Sequence, residues 1–141
     1  MQKHLELYKS LEKRKVNYLV IDGVASILYG VPRATFDLDL CVQNSYQNIE
    51  RLLKSFEAVG MGTVFLTTVE DVCKTEITIF EDIIRVDVLT KLNDIDFQEA
   101  WETRNIQIIQ DVPINLISKK LLLKSKLFAN RDKDKEDIAF R

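Results

Sequence analysis

Alternation of apolar and polar residues at positions 36–42 limits most strongly how this chain can fold. The run is Phe-Asp-Leu-Asp-Leu-Cys-Val. It predicts a strand, because side chains two residues apart on a strand lie on the same side of the sheet. Asp37 and Asp39 then share one face, and Phe36, Leu38 and Leu40 pack behind them.

Helical and extended patterns alternate along the rest of the chain. Helical spacing predicts helices over 3–14, 24–29, 44–59, 95–102 and 118–129, with a final helical stretch after residue 131. Short apolar, mostly β-branched runs predict strands over 18–21, 63–66, 76–80, 83–89 and 106–109. Glu81 and Asp82 predict a hairpin turn, and residues 112–114 a connection into the long helix. The expected fold class is α+β: one domain over residues 1–141, with a mixed β-sheet flanked by helices.

Composition excludes several classes of protein. No apolar run approaches the roughly 18–20 residues of a membrane span, and the charged N-terminal segment is unlike a secretory signal. Cys41 and Cys73 have no metal-site spacing and cannot form a disulfide framework, so we expect a cytoplasmic protein. The net charge is −2, yet residues 118–135 carry seven basic and two acidic side chains. The negative net charge disfavours a protein that binds nucleic acid over a broad basic face. The local basic element suits a site that holds metal or phosphate.

Two strands carry the candidate catalytic carboxylates. Asp37 and Asp39 repel each other on one face unless a cation compensates, and Mg²⁺ favours carboxylates together with phosphate oxygens. Asp87 alternates with Ile84, Val86 and Val88 in a similar pattern. If the two strands are neighbours, three carboxylates meet and could hold two metal ions about 3.5–4 Å apart. The alternative is a solvated strand face.

Two further segments could hold phosphate. Asp22-Gly23 between a strand and a helix resembles the turn that brings phosphate to a helix N-terminus. In the basic helix, a helical wheel places Lys120 and Lys124 within the apolar arc. A lysine directed at the protein body needs an anionic partner, for which the carboxylates or a bound phosphate are suitable. Extension of the lysine to solvent explains the pattern equally well.

Residues 18–40 resemble the nucleotidyltransferase superfamily of polymerase-β type. They are most similar to the small bacterial branch of minimal nucleotidyltransferases and AbiEii-type toxins. The branch pattern Gly-x-x-Arg-x-Thr-x-Asp-x-Asp is matched by Gly30, Arg33, Thr35, Asp37 and Asp39. Residues 83–89 resemble the strand of the third carboxylate. Residues 121–137 resemble the ending of the branch through Lys124, Arg131, Lys133, Asp134 and Asp137.

The resemblance implies transfer of a nucleoside monophosphate from an NTP such as ATP to a hydroxyl acceptor, with two Mg²⁺ ions. Asp37 and Asp39 would bind both ions, and Asp87 would bind the catalytic ion and help to deprotonate the acceptor. Gly23, Arg33, Thr35 and Lys124 would bind the nucleotide. The acceptor could be a small molecule, a tRNA or a protein. A partner protein such as an antitoxin, or a second copy of the chain, is expected to help recognise it.

One departure supports a second hypothesis. The branch has Gly-Gly or Gly-Ser where this chain has Asp22-Gly23. The Asp22 carboxylate would repel a triphosphate, although aspartate is also a favourable helix N-cap. A degenerate binding module that keeps the fold and acts with a partner is therefore the alternative, and a metal-dependent phosphohydrolase is a third possibility.

Overall fold

The computed structural model describes residues 2–21 and 37–124 of the 141-residue chain. Within these residues, six strands form one mixed sheet in the order β3-β4-β2-β1-β6-β5. The strands are β1 (Tyr18–Ile21), β2 (Asp37–Val42), β3 (Ile77–Glu81), β4 (Arg85–Leu89), β5 (Asn105–Ile109) and β6 (Val112–Leu116).

Parallel pairing in this sheet joins strands that are distant along the chain. β2 is parallel to β4, and β1 is parallel to β6. The other three pairs, β1 with β2, β3 with β4 and β5 with β6, are antiparallel. A parallel pair needs a crossover connection, and the helices between β2 and β3 lie in the one that joins β2 to β4.

The described helices are short apart from two. They are α1 (Gln2–Lys13), α2 (Tyr46–Ala58), a 3₁₀ helix (Gly62–Leu66), α3 (Val69–Lys74) and α4 (Phe97–Glu102). A further helix, α5, begins at residue 119 and is described to residue 124. Side-chain oxygens of Ser45, Thr68, Asp96 and Ser118 accept backbone N–H bonds in the first turns of α2, α3, α4 and α5. These caps satisfy N–H groups that have no partner within the helix.

One face of the sheet packs against α1 and α2 and forms the core. Tyr8 of α1 stacks on Tyr18 with ring centroids 6.3 Å apart, and Phe56 of α2 meets Phe80 edge to face at 5.2 Å. Ser10 and Ser55 join the two helices, because each hydroxyl donates to the other residue's backbone carbonyl, at 2.8 and 3.3 Å. Both helices therefore pack on the same face of the sheet.

The α+β fold class is confirmed, and so is the hairpin, because β3 and β4 pair on either side of residues 82–84. The strand predicted over 63–66 is wrong: the segment is a 3₁₀ helix. Met61 and Val64 are buried, whereas Phe65 and Leu66 are exposed. The spacing of the buried side chains is therefore three, as in a 3₁₀ helix, rather than two.

The connection predicted over 112–114 is also wrong, because these residues begin β6. A proline is tolerated at a strand position where the backbone nitrogen does not donate a hydrogen bond to a neighbouring strand. Asn115 donates its N–H to the Tyr18 hydroxyl, away from β5, and Pro113 presents its nitrogen in that same direction. In the described pairing, β6 joins β1 only at Leu116, so Pro113 costs no bond to β1.

Helix α3 was not predicted, because six residues are too few to show periodicity. The end of the helix predicted over 118–129, the helix over 24–29 and the stretch after residue 131 lie outside the described residues. In the described part of the chain, none of the helices has the length and apolar character needed to cross a bilayer.

Candidate active site

The face of the sheet opposite α1 and α2 carries the predicted carboxylates, and two of them lie in one row across four strands. Asp39 of β2 is the direct partner of Asp87 on β4, and these are flanked by Ile21 of β1 and Ile79 of β3. Directly paired residues on neighbouring strands lie on the same face and close together. Asp39 and Asp87 are therefore adjacent, although 47 positions separate them in the sequence.

A charged row lies next to this carboxylate row on the same face, two residues earlier along β2 and β4. Asp37 pairs with Arg85, and Arg85 pairs with Glu81 on β3. Asp37 and Glu81 are exposed, whereas Asp39 and Asp87 are half-buried. The sheet therefore brings Asp37, Asp39 and Asp87 to one face, as the alternating patterns predict.

On the other side of the carboxylates, the neighbouring row is apolar. It contains Leu19, Cys41, Leu89 and Ile77. Burial raises the pKa of the Cys41 thiol to about 12. The raised pKa indicates that Cys41 is a small buried side chain rather than a reactive group.

The register of β2 and β4 is fixed by the residues behind the carboxylates. Leu38, Leu40, Val86 and Val88 face the core, and each is fully buried. A slip of one residue in either strand would expose these side chains and bury an aspartate, which is unfavourable on both counts. The same apolar residues that stabilise the sheet therefore position the carboxylates.

Arg85 is a part of the site that the sequence interpretation did not include. Its Nε donates to Asp87 Oδ1 at 3.2 Å. This hydrogen bond and the negative charge of Asp87 raise the pKa of the Arg85 guanidinium, and the charges of Asp37 and Glu81 act in the same direction. The sequence does indicate that Arg85 shares a face with Asp87, because the two residues are two positions apart on one strand, as Asp37 and Asp39 are.

The chemistry of these donors fits a divalent cation, because three carboxylates share one face and two of them are direct partners. Their side chains are not yet arranged around a common point. Over residues 2–21 and 37–124, no group of three or more His, Cys, Asp or Glu side chains is placed to hold a metal ion. One oxygen of Asp87 is bound to Arg85 instead.

Four residues predicted to bind the nucleotide have different outcomes. Gly23, Arg33 and Thr35 lie outside the described residues, as does Asp22. Lys124 lies in α5 and is exposed, and so is Lys120, while Leu121 and Leu122 are buried. Both lysines are therefore on the exposed side of α5, and the nucleotide-binding role of Lys124 stays a prediction.

Other residues of the sequence have structural roles. Trp101 of α4 stacks on Phe97, with ring centroids 6.0 Å apart. The Arg104 guanidinium lies 3.8 Å from the centroid of the Trp101 ring, a cation–π contact. Burial and the N-terminal charge lower the pKa of His4 on α1.

Family and structure comparisons agree on the fold. The model of a family described as "Nucleotidyltransferase of unknown function (DUF6036)" matches residues 2–140. A solved structure from Thermotoga maritima, described as a "putative nucleotidyltransferase", is similar with a TM-score of 0.64. The similarity covers 94% of this chain and 86% of that one, at 18% sequence identity, and so concerns the fold alone. No curated protein matches the chain.

Proposed function

We propose, from the premise that this chain belongs to the nucleotidyltransferase family DUF6036, that it transfers a nucleoside monophosphate from an NTP to a hydroxyl acceptor. The reaction forms a bond between the acceptor oxygen and the α-phosphorus and releases pyrophosphate. Catalysis of this kind depends mainly on positioning and charge stabilisation. The proposal therefore needs a fixed anionic site more than it needs a reactive side chain.

The observation that carries the proposal is the direct pairing of Asp39 with Asp87 on parallel strands. Asp37 extends the same face by two residues. Two half-buried carboxylates side by side over an apolar sheet, with a third exposed beside them, repel one another, and a bound cation relieves the repulsion. The repulsion between these carboxylates is understandable if their function is to bind cations.

In the proposed mechanism, Asp37, Asp39 and Asp87 would hold two Mg²⁺ ions. When bound, these ions would neutralise the triphosphate and the developing charge on the leaving pyrophosphate. Asp87, which pairs with Asp39, would accept the proton of the acceptor hydroxyl. Arg33 and Lys124 would bind phosphate oxygens, and Gly23 and Thr35 would contact the nucleotide.

Transfer of label from α-³²P-NTPs tests the proposal with pools of small hydroxyl compounds, tRNA and protein as acceptors. We expect labelling by the wild type in Mg²⁺ and a loss of about 100-fold or more in Asp39→Asn and Asp87→Asn. Asp94→Asn is the matched control, because Asp94 is exposed in the loop after β4. Equal labelling by the wild type and Asp39→Asn would refute the proposal.

The second candidate function is a binding module that has lost turnover. Asp22 in place of the first glycine favours it, as does the ion pair that occupies Asp87. Isothermal titration with Mg·ATP and the other nucleotides separates the two functions. An active site binds at least one nucleotide with dependence on Mg²⁺, whereas a degenerate site shows no such dependence and instead retains a protein partner.

A further inference from the structure

We infer that Arg85 is the resting counter-ion of Asp87, and that a divalent cation binds at Asp39 and Asp87 only when this ion pair opens. The inference rests on the proposed function, because it concerns how the same carboxylates take up their cation. Arg85 is in this view a positioning residue: it controls where the Asp87 carboxylate lies.

The contact itself is specific to one atom pair. Arg85 Nε lies 3.2 Å from Asp87 Oδ1, and the two residues are i and i+2 on β4. Both side chains therefore leave the strand on the same face. This is also the face on which Asp39 lies beside Asp87. A cation shared by Asp39 and Asp87 would have to use an oxygen close to the guanidinium.

Charge around Arg85 explains why it lies here. Its direct partners on the neighbouring strands are Asp37 and Glu81, and both interact favourably with its charge. Within residues 37–42 and 77–89, Arg85 is the positive residue on the two adjacent rows that carry Asp37, Asp39, Glu81 and Asp87. Without a metal ion, it reduces the repulsion between carboxylates that the register holds together.

The ion pair is also weak enough to open. The Arg85 side chain is 37% exposed and that of Asp87 is 21% exposed, so water can hydrate either charge when the ion pair opens. Ion pairs of this exposure are weak, because water screens the two charges and both side chains lose freedom when they pair. A bound divalent cation would repel the guanidinium and compete with it for the Asp87 carboxylate. Opening is therefore driven by the cation that needs the site.

The experiment is a titration of the full chain with Mn²⁺ alone, followed by electron paramagnetic resonance of the free ion. Arg85→Met removes the charge and keeps an extended side chain. We expect it to bind Mn²⁺ about fivefold more tightly than the wild type, the fold-change that corresponds to an exposed ion pair. Arg85→Lys keeps the charge and is expected to return the affinity towards that of the wild type.

The control is Arg51→Met, which removes an exposed arginine from α2 on the core side of the sheet. It lowers the net charge by the same amount, and we expect less than a twofold change. Unchanged or weaker Mn²⁺ binding by Arg85→Met would overturn the inference. So would equal tightening by Arg51→Met, because the effect would then be one of net charge.

A fourth variant separates this inference from the proposed function. Asp39→Asn should lose Mn²⁺ binding if the carboxylates hold the cation. If it does lose binding but Arg85→Met equals the wild type, the inference fails and the proposed site stands. If Asp39→Asn binds like the wild type, or if neither the wild type nor Arg85→Met binds Mn²⁺, the proposed metal site fails and the inference fails with it.

Discussion

At the scale of the single residue, the buried amide of Asn48 joins three parts of the chain. Its Oδ1 accepts the Asn17 N–H at 2.8 Å, and its Nδ2 donates to the carbonyls of Asn17 and Gln43 at 3.0 and 2.9 Å. Asn17 immediately precedes β1, and Gln43 immediately follows β2. Asn48 therefore fixes the end of the antiparallel pair β1–β2 to the start of α2.

We predict that Asn48→Ala lowers the free energy of unfolding by about 2 kcal/mol, because it removes three hydrogen bonds to partly buried backbone groups. Urea denaturation measures the change. Gln47→Ala is the control, since Gln47 is exposed on the same turn of α2, and should change stability by less than about 0.5 kcal/mol. Equal effects of the two variants would contradict this role of Asn48.

Asp82 shows how a single carboxylate connects two loops. Its oxygens accept from the N–H and hydroxyl of Thr63 at 2.9 and 2.7 Å, and from the N–H of Ile83 at 2.7 Å. These bonds favour the ionised form, and they lower the pKa of the Asp82 carboxyl in the folded protein. The 3₁₀ helix is thereby held to the turn between β3 and β4.

The sign of the pH dependence follows from that lower pKa. The contribution of Asp82 is complete above the unfolded-state pKa of about 3.9 and is lost as the pH falls through the folded value. We expect Asp82→Ala to be less stable than the wild type at pH 7, with the difference shrinking below pH 4. Urea denaturation of both proteins across this range tests it; a difference that grows on acidification would show the opposite linkage.

At the scale of the element, α2 is held to the sheet by one aromatic contact in particular. Phe56 and Phe80 meet edge to face, and both are buried. Phe80 lies on β3, the strand at the edge of the sheet beside β4. The contact therefore supports the side of the sheet that carries Asp87.

Phe56→Ala should lower the free energy of unfolding by about 3–5 kcal/mol, because it leaves a cavity between α2 and the sheet. Phe56→Leu refills most of that space and should cost much less. Phe65→Ala is the matched control, since Phe65 is 73% exposed. Chemical denaturation ranks the three variants, and a Phe65→Ala cost as large as that of Phe56→Ala would contradict the assignment of the core.

Elements with a long, regular pattern could be predicted from the sequence, and the short ones could not. α1, α2, β2 and β4 have apolar residues at the period of their own structure. The 3₁₀ helix has too few residues to establish a period, and its Val-Phe-Leu composition favours a strand. Strand β6 was not predicted because it contains Pro113, and proline is unfavourable at most positions of a strand. Only the observed pairing with β5 shows that Pro113 occupies a position where it is tolerated.

At the scale of the whole molecule, the candidate site depends on strand order, which the residues alone left open. Alternation placed Asp37, Asp39 and Asp87 each on a polar face. Whether β2 and β4 are neighbours was a conditional statement until the sheet showed their pairing. The place of Lys124 could not be predicted either, because a helical wheel does not say how wide the buried arc is, and Leu123 is exposed.

Cys41 reports on the opening of the whole sheet. It lies next to the last residue of β2, is 3% exposed, and has a pKa raised to about 12 by burial. In Cys73→Ser, which leaves Cys41 alone, we expect reaction with a thiol reagent such as DTNB at pH 8 to be slow in buffer and fast in unfolding concentrations of urea. Cys41→Ser, which leaves the half-buried Cys73 on α3, should react faster in buffer. Immediate reaction of Cys41 in the native protein would contradict its burial.

The parallel pairing of β2 with β4 has a consequence for how the protein is made. During synthesis, the ribosome releases Asp37 and Asp39 long before Asp87, and a parallel partner can join only after the whole crossover has emerged. A nascent chain or a proteolytic fragment that stops before β4 therefore contains Asp37 and Asp39 but lacks the strand that carries Asp87. The three carboxylates should therefore come together in a single late event, after β4 has joined the sheet.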